Sequence, residues 1–210
     1  MFINKMGHQH LLFGENCQDF GIVNPNLKLV CDGCSEGKHS EVGAKSFCHL
    51  ILCGYNVEQA FEKLTELFGQ NASAIKNYLC FTILMVFSWE DRFELSSCGD
   101  GYVILQDRQG TITFLELNDG EYPKYYAYNY VPSDLLKYYK DGVSISRKSF
   151  LKENYIRIGI ASDGLRFILN AEETLKNEFL AALKSDKEVN VKRFINKNQE
   201  LFKDDITIAF

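Results

Sequence analysis

Apolar residues follow two rhythms along this chain. Alternating or continuous apolar runs of four to nine residues, bounded by Gly, Asp and Asn, read as strands. They fall at residues 8–13, 18–23, 27–32, 81–89, 92–98, 102–107, 111–117, 155–162 and 205–210. Glu90-Asp91 joins one neighbouring pair, and Arg108-Gln109-Gly110 joins another. Helical spacing appears at 40–53, and most cleanly at 57–68, "VEQAFEKLTELF". Further helices are expected around 164–170, 172–184 and 190–202. Residues 118–154 are rich in tyrosine and polar side chains and show neither rhythm. The order is strands, two helices, a run of strands, helices, and a closing strand. A doubly wound parallel sheet would alternate strand and helix, so an α+β fold with antiparallel sheets packed between helical layers is expected. The closing strand must return to a sheet across the helices, which places 1–210 in a single domain.

Composition narrows the class. Hydrophobic residues make up 46% of the 210, enough for a large core, and only three prolines occur. The first residues lack the apolar core of a signal peptide. The longest apolar run, "YLCFTILMVF" at 78–87, is too short to span a bilayer. A cytoplasmic protein with no membrane association is therefore expected. Seven scattered cysteines, mostly within apolar runs, suit a reducing compartment better than a disulfide framework. Cys31 and Cys34 form a C-x-x-C without a second pair, so two small strand-end residues are the preferred reading over zinc or redox chemistry. The net charge is −5 with no basic stripe, which argues against nucleic acid.

The chemistry concentrates in aspartates. Five Asp-Gly pairs occur, at 32, 100, 119, 141 and 163. Asp119-Gly120 and Asp141-Gly142 sit in polar surroundings and read as surface turns. Asp32 and Asp163 each end an apolar strand and precede a helix, so neither turns a hairpin. A lone carboxylate there would be costly, and a cation is a natural partner. Asp100, in "SSCGDGYVIL", fits a hairpin turn as well as a functional role. Asp19 heads a strand, and Asp204 and Asp205 precede the closing one. These six aspartates together exceed the whole net charge. Hard oxygen donors without obligatory His or Cys suit Mg²⁺ or Mn²⁺.

In this order, "CQD" (17–19), "LVCDGCSEGKHSEVGA" (29–44), "CGDG" (98–101), "IASDGL" (160–165) and "DDIT" (204–207) resemble the signature blocks of the type 2C family of metal-dependent protein phosphatases. The opening "GHQHLLFGENCQD" is similar to a bacterial branch in which G-x-x-H precedes Q-D. The resemblance implies a four-layer α-β-β-α sandwich, with two antiparallel sheets between pairs of helices. It implies removal of phosphate from phosphoserine and phosphothreonine, with a phosphoprotein and a cognate Ser/Thr kinase as partners. Asp32 would bridge two Mn²⁺ or Mg²⁺ ions and the Gly33 carbonyl would bind one. Asp163 and Asp204 would complete the first ion's shell, and Asp19 would support the second. Asp100 matches the position of a third, weaker ion. Asp32, Asp163 and Asp204 would thus carry catalysis, by way of a water activated between two metals. Asp205 would position its neighbours.

Four departures stand out. Gly14 occupies the place of an arginine that grips substrate phosphate, so His10, with His8 as the weaker choice, is the expected replacement; the plain reading of His10 is a half-exposed strand residue. Gln18 stands for a common Glu, Gly101 follows Asp100 where Ser is usual, and Ser35-Glu36 replaces Gly-Gly. Residues 118–154 fall where the family has a variable flap, although their tyrosines could equally be packing. The missing arginine and Gln18 motivate the alternative of a pseudophosphatase that binds a phosphoprotein or kinase as a regulator.

Overall fold

The computed structural model describes residues 1–210 except Asp119, Glu121 and Pro123. The strands are β1 (Phe2–Lys5), β2 (Phe20–Val23), β3 (Leu27–Cys31), β4 (Ile83–Ser88), β5 (Arg92–Cys98), β6 (Gly101–Asp107), β7 (Ile112–Leu117), β8 (Ser146–Leu151), β9 (Tyr155–Ala161) and β10 (Ile206–Ala209). The helices are α1 (His8–Phe13), α2 (Ser40–Leu52), α3 (Val57–Phe68), α4 (Ala72–Ala74), α5 (Arg166–Leu169), α6 (Glu173–Lys184) and α7 (Glu188–Lys197). One sheet runs β1-β10-β9-β6-β7 and the other β2-β3-β4-β5-β8. Every strand pairing is antiparallel. The fold is α+β, as the order of elements predicts.

Side-chain alternation explains the layering. On β3 and β4, Leu27, Leu29, Cys31, Ile83 and Met85 face a cluster shared with Phe47, Phe61 and Leu64 of α2 and α3. The intervening Val30, Leu84 and Val86 face Val103, Leu105, Ile158 and Ile160 of the opposite sheet. The outer face of that sheet, with Ile3, Ile104 and Ile208, packs on Phe179, Leu183, Val191 and Ile195 of α6 and α7. Strands covered on both faces need apolar residues at consecutive positions, which is why 83–87 of β4 is unbroken, while Tyr78 and Leu79 of the same apolar stretch belong to the helical turn Ile75–Leu79. No described helix is long and apolar enough to cross a membrane.

Several local expectations change. Residues 8–13 form α1, not a strand. The segment has no β-branched residue, Leu11, Leu12 and Phe13 are 50, 67 and 74% exposed, and only His10 is buried. A run that faces solvent has no sheet face to bury, so local helix preference decides. Gly14 closes α1 in the left-handed conformation (φ 69°), its N–H bonded to the His10 carbonyl. β1 carries little signal in four residues and exists through its register with β10, Phe2 to Ala209 through Lys5 to Ile206. β8 lies inside the patternless 118–154 segment because an edge strand with only Phe150 buried shows no apolar rhythm. In the same segment Tyr125, Tyr126, Tyr128 and Tyr130 pack on the α2–α3 core cluster. Asp141-Gly142 is an exposed turn in which the Gly142 N–H donates to the Tyr139 carbonyl, whereas Asp119 lies outside the described residues.

Candidate functional site

Loops at the strand ends deliver the aspartates to one site. Asp32 follows β3, where its N–H donates to Thr82 Oγ1 (3.0 Å) and its carbonyl accepts from the Thr82 N–H (2.8 Å). These bonds lock it to the head of β4. Asp100 sits between β5 and β6, which belong to different sheets, so Gly99-Asp100 is a crossing and not a hairpin turn. The flanking Gly99 and Gly101 have φ of 95° and 133°, and a Cβ on Gly101 would lie 2.7 Å from the Ala161 carbonyl oxygen. Only glycine makes that crossing without displacing β9.

Asp163 follows β9, and Asp204 and Asp205 precede β10. Gly164 lets these two ends touch: a Cβ there would lie 1.9 Å from the Asp205 carbonyl oxygen. Gly33 is equally confined, its Cβ position 2.5 Å from Ser40 Oγ and 2.9 Å from the Gln18 carbonyl oxygen. In Asp32-Gly33 and Asp163-Gly164 the glycine therefore serves close packing and not a turn.

Asp19 is an enclosed carboxylate, 3% exposed. Its Oδ2 accepts from Ser162 Oγ at 2.6 Å, and Ser162 Oγ in turn accepts from the Thr207 N–H at 2.9 Å. Its Oδ1 is buried without a hydrogen-bond partner. Burial, with Asp205 and Asp163 nearby, raises the Asp19 carboxyl from an ordinary 3.8 to about 7. Asp163 rises to about 6, again through burial first, with Asp100 and Asp204 opposing its charge and Arg166 favouring it. Asp32 keeps some exposed surface yet is pushed well upward by burial, followed by repulsion from Asp19, Asp163, Asp204 and Asp100. The five candidate carboxylates thus share one field. Together they form a site that a divalent cation would relieve, and the unpartnered Asp19 oxygen is a free hard donor within it.

Asp205 plays a different part. Its Oδ1 accepts from the Gly7 N–H (2.7 Å) and its Oδ2 from the Gln18 N–H (2.6 Å), so it ties the two ends of the α1 segment to β10. The Gln18 side chain is turned to the Gly37 carbonyl (3.3 Å), where it braces the loop after Gly33. His10 is buried, its Nδ1 2.9 Å from Asp205 Oδ1 and its Nε2 3.5 Å from Glu15 and 4.0 Å from Asp204. His10, Asp204 and Asp205 are close enough to share a metal ion, although the Asp205 oxygens already accept two backbone bonds. His8 lies on the other side of α1, beside Asn196–Leu201. Cys31 meets Cys48 (Sγ–Sγ 3.8 Å) and not Cys34, whose N–H bonds to the Cys80 carbonyl. All seven thiols are free, and burial raises Cys31 and Cys80, so the C-x-x-C is packing.

Beside the carboxylates lies a cavity of about 240 Å³, lined by Asp100, Tyr102, Glu116, Lys124, Asp163 and Arg166 among others. Two participants carry no role in the sequence reading. Ser162 sits within the quoted "IASDGL", and its polarity at the end of an apolar strand is the signal. Arg166 follows Asp163 by one helical turn, and its Nη1 lies 2.6 Å from Asp163 Oδ2.

No protein-family model matches the chain, and no curated protein matches it in sequence. Solved structures do match over nearly the full length. A bacterial serine phosphatase aligns with TM-score 0.67 at 15% identity, covering 99% of this chain and 94% of that one. The serine/threonine phosphatase Stp1 from Staphylococcus aureus gives 0.65 at 15%, covering 99% and 92%. The catalytic domain of the serine/threonine protein phosphatase PstP, in complex with two manganese ions, gives 0.62 at 16%, covering 99% and 94%. The chain shares the fold of these bacterial serine/threonine phosphatases.

Proposed function

We propose that this chain is a Mn²⁺- or Mg²⁺-dependent phosphatase that hydrolyses phosphoserine and phosphothreonine in proteins. The observation that carries this reading is the convergence of Asp19, Asp32, Asp100, Asp163 and Asp204 on one site, where Asp19 Oδ1 is buried without a partner. The shared fold with phosphatases, one of them described with two manganese ions, supports it. Asp32, with the Gly33 carbonyl, would hold metal between the two sheets. Asp163 and Asp204 would hold it from the β9 and β10 side, Asp19 would add its free oxygen, and Asp100 would add a weaker position at the cavity. When bound, the metals supply an activated water and offset charge on the phosphoryl oxygens.

The protein's own groups do the rest. Ser162 fixes the Asp19 carboxylate, Thr82 fixes Asp32, and Asp205 keeps the α1 loop against β10. The cavity beside Asp163 admits the phosphorylated side chain from solvent. No cysteine takes part as a nucleophile. A phosphoprotein substrate, with the kinase that modifies it, follows as the partner, and His10 reaches phosphate only by leaving Asp205.

Hydrolysis of p-nitrophenyl phosphate and of a phosphothreonine peptide tests this, with Mn²⁺, Mg²⁺ or EDTA, for wild type and Asp163→Asn. Metal-dependent turnover that falls at least ~100-fold in the variant is expected, because a ligand is lost outright. A folded, Mn²⁺-saturated wild type without turnover would favour the regulator that binds phosphoproteins without cleaving them.

A further inference from the structure

We propose that Arg166 is a resident cation of the carboxylate site, which divalent metal displaces and substrate phosphate then recruits. This rests on the metal-site reading above and assigns a role to a residue that reading does not use.

The geometry puts one guanidinium across two candidate metal ligands. Arg166 Nη1 donates to Asp163 Oδ2 at 2.6 Å, and Nη2 lies 3.7 Å from Asp204 Oδ2. Asp163 and Asp204 come from different strand ends, so Arg166 also ties β9 to β10 at the site. A divalent ion held by these carboxylates would compete with the guanidinium for their charge. The two cations repel each other at this distance, and the doubly charged ion gains more from a carboxylate pair than a half-exposed guanidinium does. Arg166 is 45% exposed at its side chain, so little holds it once its anionic partners are taken. Its Cζ lies 5.1 Å from the Phe167 ring centre, an apolar rest on the outer side.

The released side chain is already at the place where an anion would arrive. Arg166 lines the cavity together with Asp100, Tyr102, Glu116 and Asp163. Its planar fork suits two oxygens of a phosphoryl group, a match that lysine lacks. Alternatives near α1 are poorly placed for this. Gly14 has no side chain, and His10 is buried against Asp205. The same arginine can therefore neutralise the carboxylates without metal and meet phosphate with it, and the two duties exclude each other in time.

The test uses the full chain with Arg166→Ala, Arg166→Gln and Arg166→Lys, each checked for folding by circular dichroism. Mn²⁺ affinity is read from the electron paramagnetic resonance signal of the free ion. Ala and Gln are expected to bind Mn²⁺ about fivefold tighter than wild type, the upper end of what one partly exposed ion pair withholds. Lys should stay near wild type. Orthophosphate binding to the Mn²⁺-loaded proteins, read by calorimetry, should weaken about tenfold in Ala and Gln and less in Lys. Mn²⁺ affinity that is unchanged or weaker in both neutral variants overturns the displacement, and unchanged orthophosphate affinity overturns the recruitment. If Asp163→Asn abolishes Mn²⁺ binding while the Arg166 variants match wild type, the metal site stands and this proposal falls. If wild type and every variant bind no Mn²⁺, both fall together.

Discussion

Replacing Asp19 by Asn should stabilise the protein when metal is chelated and weaken it when metal is present. Asn keeps the size of Asp and can still accept the Ser162 hydroxyl bond through its amide oxygen (2.6 Å to Asp19 Oδ2 in wild type), but it carries no charge. The folded-state carboxyl is raised from 3.8 to about 7, so the folded chain holds a proton that the unfolded chain has released. Its ionisation therefore opposes folding. The penalty is absent below about pH 4, grows as pH rises, and is complete above about pH 7. The rise spans about three pKa units at ~1.4 kcal/mol each, a ceiling of ~4 kcal/mol. Asp163 and Asp205 share the same field, so part of the rise belongs to the cluster and not to Asp19, and about 2 kcal/mol is expected for Asp19 alone. In EDTA at pH 8, urea unfolding should place Asp19→Asn about 2 kcal/mol above wild type. Near pH 4 the difference should vanish. With saturating Mn²⁺ the order should invert, because wild type gains ligand-binding free energy that the variant loses. An Asp19→Asn protein less stable than wild type in EDTA at pH 8 would refute the reasoning, since the carboxylate would then be stabilising without a cation.

Three further outcomes follow from packing and caps. Gly164→Ala should lower stability by at least ~3 kcal/mol and weaken Mn²⁺ binding, because its Cβ would lie 1.9 Å from the Asp205 carbonyl oxygen; a near-wild-type melting temperature would show that β9 and β10 part easily. Phe61→Ala should cost about 3–5 kcal/mol in urea unfolding, since its ring lies 5.0–5.9 Å from those of Phe47, Phe81, Tyr126 and Tyr130 and is fully buried. Asn56→Ala removes the side-chain half of a capping box with Gln59 at the head of α3 and should cost about 1 kcal/mol, with little effect on metal affinity; a loss of metal binding would tie α3 to the site.

Legibility tracked how local the cause of each feature is. Helix α3 was readable to its ends, because its apolar face and its Asn56 cap are both within the segment. Strands β3 and β4 were readable because burial on both faces writes a nearly continuous apolar run, broken in β3 by Lys28. β1 and β8 were not, since one is held by a partner some two hundred residues away and the other is an edge with one buried side chain. The α1 segment misled because Leu11, Leu12 and Phe13 look like core but face solvent. Among site residues, Asp32 and Asp163 announced themselves as charges ending apolar strands. Asp205, expected only to position its neighbours, is buried under two backbone N–H groups from Gly7 and Gln18, partners that no local pattern reveals. Arg166 gave no signal of its own, because its meaning depends on Asp204, which only the fold brings near.

The position of β10 has a consequence for how the protein comes to be. This strand sits inside its sheet, between β1 and β9, and it orients Asp204 and Asp205. Asp19 and the residues 204–209 must meet across nearly the whole sequence, and that entropy has to be met before the pairing gives anything back. A chain lacking residues 204–209 would expose the edges of both β1 and β9 and would hold Asp19, Asp32 and Asp163 without the segment that fixes their spacing. Such an intermediate would be sticky and unable to bind metal tightly. If the proposed metal site holds, metal capture would mark completed folding, and a pulse of Mn²⁺ during refolding should register only the molecules in which β10 has already been inserted.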